Sequence, residues 1–162
     1  MSSVDNKSKL AVAIRPMLRA DLQRVLSLER LIFPDPWPKS AFVEQFNNPD
    51  WDGLVAESDG VIIGYACFLI AAGECHLANI AIAPASRRKS VAKQLLFRIL
   101  DIAADHRCEL IILEVRVSNS EAIAFYRRFG FEELYTRPKY YHSPPEDALV
   151  MQRRLSDSSG TA

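Results

Sequence analysis

The stretch Leu77-Ala-Asn-Ile-Ala-Ile-Ala-Pro84-Ala-Ser-Arg-Arg-Lys-Ser-Val-Ala92-Lys-Gln-Leu-Leu96 joins a buried strand, a short basic loop and the start of a helix. Its first part is almost wholly apolar and stops at a proline, which cannot donate to a sheet ladder. From Val91 the period changes: Val91, Leu95, Ile99 and Ile102 recur on one side of a helix that runs to His106. Leu110 to Val115 is a further buried strand. The unit is therefore β-α-β, with parallel strands and a right-handed crossover.

Toward the N-terminus, Val61-Ile-Ile-Gly-Tyr-Ala-Cys-Phe-Leu-Ile70 is continuously apolar, as a strand covered on both faces is. Ser58-Asp59-Gly60 joins it to a strand over 54–57 with a hairpin signal, and Ala72-Gly73-Glu74 turns it into a strand over 76–83. Residues 11–15 form a short first strand. Leu18, Leu22, Val25, Leu28 and Ile32 then mark a helix from about Arg19, which Phe33-Pro-Asp-Pro-Trp-Pro38 must break. A short helix over 40–47 follows. Toward the C-terminus, 118–129 reads as a helix with Ser118 and Glu121 as a capping box, and strands follow over 131–141 and 148–154. The order β-α-α-β-β-β-α-β-α-β-β defines an α/β (α+β) domain over 10–155. Its sheet is mixed and mostly antiparallel, with a central parallel pair and helices on both faces. Residues 1–9 and 156–162, small and polar, are expected to be flexible ends.

Twenty basic residues balance twenty acidic ones, so no global field draws the chain to nucleic acid or to an anionic membrane. A phosphate-bearing ligand must be held by local geometry. The loop Arg87-Arg-Lys-Ser90 offers such geometry, because the first turn of the next helix leaves N–H groups unpaired and its dipole favours negative charge. Taken alone, three basic residues ahead of a helix more often form a solvated loop.

The segment resembles the coenzyme-binding motif of GCN5-related acetyltransferases, Arg/Gln-x-x-Gly-x-Gly/Ala after a strand ending in hydrophobic-x-Pro. Arg87 and Ala92 match, while Ser90 stands where the motif has its first glycine. The resemblance implies the GCN5-related fold and acetyl-coenzyme A as co-substrate. It places Ile80, Ala81, Ile82, Arg87, Arg88, Lys89, Ser90, Val91, Ala92, Lys93, Asn119 and Tyr126 at the coenzyme. Serine keeps the backbone donor and caps helices. It is expected here at negative φ, where losing the glycine costs little. A positive φ would cost about 1–2 kcal/mol.

Leu113-Glu-Val-Arg-Val-Ser-Asn-Ser-Glu-Ala-Ile-Ala-Phe-Tyr-Arg-Arg-Phe-Gly-Phe131 closely resembles the corresponding stretch of bacterial ribosomal-protein-alanine N-acetyltransferases. That branch implies Glu114 as base, directly or through water, and Tyr126 as the acid that protonates the departing thiolate. Attack on a thioester needs a neutral amine, so a base has work to do. By residue type alone, an ion pair of Glu114 with Arg116, on the same strand face, is an equally good reading. Packing alone is the commoner reason for a tyrosine such as Tyr126. Asn119 is sufficiently explained as a helix cap.

Asp35-Pro-Trp-Pro-Lys-Ser-Ala-Phe42, Tyr140-Tyr141 and Glu146-Asp-Ala-Leu-Val-Met151 resemble further features of the same branch. They nominate Trp37, Tyr140 and Tyr141 for acceptor binding, against core or hinge packing. The implied acceptor is a protein N-terminal α-amine, on a ribosomal protein. The alternatives are a small amine, such as a polyamine or aminoglycoside, or an acetyl-coenzyme A-binding module without turnover. The cysteines (Cys67, Cys75, Cys108) and the histidines (His76, His106, His142) have no metal-ligand spacing and no evident partners, so no metal site is expected. The absence of an apolar targeting segment or membrane-long run leads to the expectation of a cytoplasmic protein.

Overall fold

The computed structural model describes residues 11–155; the expected flexible ends lie outside the described residues. The elements follow the anticipated order: β1 (Ala13–Pro16), α1 (Leu22–Ile32), α2 (Lys39–Asn47), β2 (Trp51–Ser58), β3 (Val61–Ala71), β4 (Glu74–Ile82), α3 (Val91–Asp105), β5 (Leu110–Arg116), α4 (Ser120–Arg128), β6 (Glu132–His142) and β7 (Pro145–Arg154). The seven strands form one sheet in the order β1-β2-β3-β4-β5-β7-β6. All neighbours are antiparallel except β4 and β5. Pro16 and Pro138 lie in the two edge strands, where a missing N–H breaks no interior ladder.

Two apolar layers flank the sheet. On one face α3 buries Val91, Leu95, Leu96 and Ile99 against Ala66, Phe68, Leu77, Ile111 and Leu113. On the other, α1 and α2 bury Val25, Leu28 and Phe42 against Val55, Tyr65 and Cys67. Alternation along each strand sorts residues between the layers: Ile111, Leu113 and Val115 face α3, while Ile112, Glu114 and Arg116 face the other way.

The alternation is interrupted once where it matters. Cys67 opposes Asn79 and Phe68 opposes Leu77, so Ala78 has no partner on β3 and forms a bulge. Past it the faces exchange: Cys75 and Leu77 face α3, and then so do Ile80 and Ile82, whereas Ala81 belongs to the α1/α2 layer. The parallel pairing also stops there, its last pair being Leu77 with Leu113. Beyond that point β4 stays on β3 and β5 stays on β7, so the two parallel strands splay apart.

Two local expectations are corrected, and one buried charge is added. Leu18 is exposed rather than on the buried stripe of the first helix, because a 3-10 turn over Arg19–Asp21 precedes α1. The buried face of α1 includes Glu29, only 1% exposed. The cap of α4 is Asn119, whose Oδ1 accepts from the Ala122 N–H at 3.1 Å, in place of a Ser118–Glu121 box.

Candidate active site

The splay opens a cleft of about 640 Å³ between the ends of β4, α3 and α4. Ile80 and Ile82 form its floor. Arg87, Arg88, Ser90, Val91, Ala92 and Lys93 line one side, with Asn119 and Tyr126 opposite. Within α3 the first bonded amide is that of Gln94, which donates to Ser90 O at 3.1 Å. The N–H groups of Val91, Ala92 and Lys93 precede it and have no intrahelical acceptor, so three donors and the positive end of the helix dipole meet the cleft. Arg87 is steadied by its Nε donating to Ile82 O at 3.2 Å, which leaves its terminal nitrogens for a ligand. These groups fit a pyrophosphate. Two of the expected residues stand apart from the lining: Lys89 lies just outside it, and the bulge turns Ala81 into the opposite layer.

Ser90 is not at negative φ. It adopts φ 66°, ψ 13°, the left-handed region, and its side chain makes no capping bond. Arg88 is also left-handed at φ 62°. The loop turns sharply between a 3-10 turn at Pro84–Ser86 and α3, and two left-handed residues make the turn. The Ser90 hydroxyl is not spent on the first-turn amides, which remain open.

Tyr126 is placed by the end of its helix. Gly130, at φ 89°, allows a Schellman closure: Phe131 N donates to Tyr126 O at 3.0 Å and Gly130 N to Arg127 O at 3.1 Å. The Phe131 ring then packs edge-on against Tyr126 at 5.3 Å. The spacing Tyr126-x-x-x-Gly-Phe is thus a device that fixes the tyrosine as well as closing the helix. Burial, and then the neighbouring Tyr141, push the Tyr126 hydroxyl well above its usual pKa, so its proton stays in place at neutral pH.

Glu114 lies on the α1/α2 side of the splay, its side chain 13% exposed. Its partner is not Arg116. Arg116 binds Glu146 at 3.2 Å and the carbonyls of Ser143 and Pro144, holding the β6–β7 hairpin. Glu114 instead meets His76 Nε2 at 2.6 Å and Arg137 Nη1 at 3.6 Å. His76 therefore has the partner its spacing did not reveal. Parity on a parallel pair was the available signal, since His76 registers with Ile112, two residues before Glu114.

Around Glu114 stand Tyr140 and Tyr141, packed edge-on at 5.0 Å, with Arg137 over the first ring and Arg116 over the second. Burial, reinforced by Tyr140 and Glu114, pushes the Tyr141 hydroxyl up to about 12. Trp37 is half-buried against Phe42 at 5.5 Å. Its backbone N–H donates to Glu29 Oε2 at 2.9 Å. Glu29 Oε1 accepts from the Tyr65 hydroxyl and from Asn79 Nδ2, so one carboxylate ties the α1–α2 loop to β3 and β4. Sequence reasoning missed Glu29. A charged residue seven positions after Leu22, inside an apolar stripe, was the only sign of it.

The three thiols are free and buried, and none lines the cleft. Burial pushes the Cys75 thiol up to about 12, far from thiolate at neutral pH. Among the described residues, no group of three His, Cys, Asp or Glu could hold a metal ion. No described helix is long and apolar enough to cross a membrane.

A sheet splayed at a bulge, with a basic helix start on one face and a carboxylate on the other, is the architecture of one class of transferases. The chain belongs to the acetyltransferase (GNAT) family, whose model matches residues 22–131, and it is an acetyltransferase. It is similar to the N-alpha-acetyltransferase RimI of Mycobacterium tuberculosis (strain H37Rv), 34% identical over 91% of this chain and 96% of that one. A Bacillus subtilis (strain 168) protein provisionally named a ribosomal protein bS18-alanine N-acetyltransferase is 35% identical over 88% of this chain and 95% of its own. The crystal structure of the ribosomal-protein-S18-alanine N-acetyltransferase from Escherichia coli superposes with a TM-score of 0.85 at 26% identity, covering 94% and 99% of the two chains.

Proposed function

We propose that this acetyltransferase moves the acetyl group of acetyl-coenzyme A onto a protein N-terminal α-amine, that of an N-terminal alanine on a small-subunit ribosomal protein. The observation that carries the reading is the splay itself. It leaves a phosphate-sized set of donors on the α3 face and a carboxylate on the α1/α2 face, joined by one gap in the sheet. The relatives' names supply the acceptor class.

On this reading the open amides of Val91, Ala92 and Lys93, with Arg87 and Arg88, bind the coenzyme's phosphates. The Asn119 amide nitrogen, its oxygen already spent on the cap, donates to the pantetheine arm. Amides of β4 freed from the parallel ladder donate to the thioester oxygen, an interaction of the kind worth about 3–4 kcal/mol per donor in oxyanion holes. Glu114 takes the proton of the acceptor's ammonium group, directly or through water, and the neutral nitrogen attacks the carbonyl carbon. Tyr126 donates its hydroxyl proton toward the sulfur as the C–S bond breaks. Its raised pKa makes complete transfer to a thiolate uphill, so its main contribution is the hydrogen bond that stabilises the leaving sulfur. Trp37, Tyr140 and Tyr141 border the acceptor's approach.

Mass spectrometry on peptides beginning Ala-Arg-Tyr, set against polyamines and an aminoglycoside, tests the acceptor. Acetylation of the free amines alone sinks it. Single-turnover kinetics test the roles. Glu114→Gln is expected to lose about 10²–10⁴ in rate, the usual range for a general base, with coenzyme affinity retained. Tyr126→Phe is expected to lose rate in the same sense. Unchanged rates remove both assignments.

A further inference from the structure

Glu114 has a close neighbour with a titratable ring. His76 Nε2 is 2.6 Å from Glu114 Oε2, while Arg137 Nη1 is 3.6 Å from Oε1. The imidazole belongs to β4, just before the Ala78 bulge, and reaches diagonally across the last paired stretch of the parallel strands. Its side chain is 34% exposed against 13% for Glu114, so the ring lies on the wetter side of the pair. A carboxylate at 2.6 Å requires Nε2 to carry a hydrogen and donate it. Nδ1 is then the atom that gains or loses a proton.

Resting on the reading of Glu114 as base, we propose that His76 is a positioning residue that sets the charge state in which Glu114 accepts the acceptor's proton. When Nδ1 is protonated, Glu114 lies between two cations, the imidazolium and the Arg137 guanidinium. Both weaken it as a base, and together they repel an arriving ammonium group. When Nδ1 is free, the Nε2–H still holds Oε2 in place, but one countercharge is gone. Oε1 is then the better base and the better seat for a cationic amine.

The other charged and titratable groups on this side are engaged or keep one charge state, and histidine is the side-chain type among them suited to a charge switch. Arg116 on β5 is engaged by Glu146 of β7, which hydrogen bonds from Ser118 and, after them, Arg116 hold below the usual carboxylate range. Tyr140 and Tyr141 of β6 are pushed upward by burial and stay neutral. Glu29 of α1 is occupied by its three donors, and the Arg137 guanidinium stays charged.

The test compares kcat/KM of His76→Gln with the wild type from pH 5.5 to pH 8 on one acceptor peptide. Glutamine keeps a neutral N–H donor and cannot gain a charge. Titration of the acceptor is common to both proteins and cancels in the ratio. Protonation of Nδ1 weakens the wild type and has no counterpart in the variant, so the ratio of variant to wild type should rise on going from pH 8 to pH 5.5. A flat ratio overturns the proposal. If the variant does not fold, an NMR titration of the wild-type His76 ring decides: its midpoint must coincide with an ionisation on the acidic limb, and a separation of more than about one unit refutes the role. Failure of the underlying reading is seen separately, as wild-type kcat/KM in Glu114→Gln. A flat ratio with an inactive Glu114→Gln rejects His76 alone.

Discussion

Ser90 stands at φ 66°, where the related motif has glycine, and the cost of that exchange can be worked through. A left-handed residue with a Cβ costs about 1–2 kcal/mol relative to its right-handed form. Glycine escapes this, but its freer unfolded chain returns about 0.4–1 kcal/mol. The difference that matters is between Ser90→Gly and Ser90→Ala, since both lose the hydroxyl and only alanine keeps the Cβ. The glycine variant should be more stable by about 1 kcal/mol. For a chain of this size that is about 2–4 °C in Tm. Ser90→Ala should stay within about 0.5 kcal/mol of the wild type, because the serine side chain makes no capping bond. Where the strain falls also has a consequence. The turn is held by Ser86 N to Ala83 O, Arg87 N to Pro84 O and Gln94 N to Ser90 O, so the left-handed conformation belongs to the fold and its cost falls on folding. Coenzyme affinity, measured by calorimetry, should therefore change less than about threefold in Ser90→Gly. Were the strain taken up on binding, that same difference of about 1 kcal/mol would make the glycine variant bind about fivefold tighter, at nearly unchanged Tm. An alanine variant as stable as the glycine one would refute the left-handed assignment itself.

Glu29→Gln puts an amide N–H against one of three donors that now share a carboxylate, and should cost about 1–3 kcal/mol in chemical denaturation; an unshifted midpoint refutes the tie. Gly64→Ala sets a Cβ 2.8 Å from Ile82 Cδ1 and 3.0 Å from Ala81 O, costing about 1–3 kcal/mol. Because Ile82 floors the cleft, coenzyme affinity should fall with it, and a variant of wild-type stability would show that the strands have room. Asp21 is held below the usual carboxylate range by Arg15, which binds both its oxygens at 2.8 and 2.9 Å, and by the Leu18 N–H. Its stabilising share is therefore present above about pH 4 and lost as pH falls through the lowered value. Asp21→Asn should be less stable at pH 7 and lose less between pH 7 and pH 3 than the wild type, by urea midpoints; an equal loss assigns the acid sensitivity elsewhere.

The order of elements was legible because periodicity is local. The apolar run 61–70, the Asp59-Gly60 turn and the stripe from Val91 to Ile102 each carry their own signal, and observed boundaries fall within about three residues of those expected. Burial of both faces was legible too, since β3 and β5 have few polar residues. Ends of helices were read less well. Ser118 and Asn119 both satisfy the cap chemistry, and only the backbone path chooses Asn119. The φ of Ser90 was beyond reach for the same reason: a serine before a helix is compatible with a cap or a left-handed turn, and the choice is made by how far the loop must turn between β4 and α3.

The bulge at Ala78 explains why the site itself was half legible. The resemblance put Ile80, Ala81 and Ile82 together as one binding stretch, and spacing along the chain gave His76 no partner. One unpaired residue changes both results. It sends Ile80 and Ile82 to the cleft side, toward α3, and turns Ala81 and Asn79 to the side of α1. It also ends the parallel ladder at Leu77, so Glu114 stands just past the last pair with an open gap on one side and His76 at its back. Nothing in Leu77-Ala-Asn-Ile announces a bulge, because any residue tolerates that backbone, and its cause is long-range: β4 must follow β3 while β5 follows β7. The cleft and the gap beside Glu114 thus share a single structural origin. A change that restored regular pairing at Ala78 should disable both together, whereas Glu114→Gln or His76→Gln should spare the coenzyme.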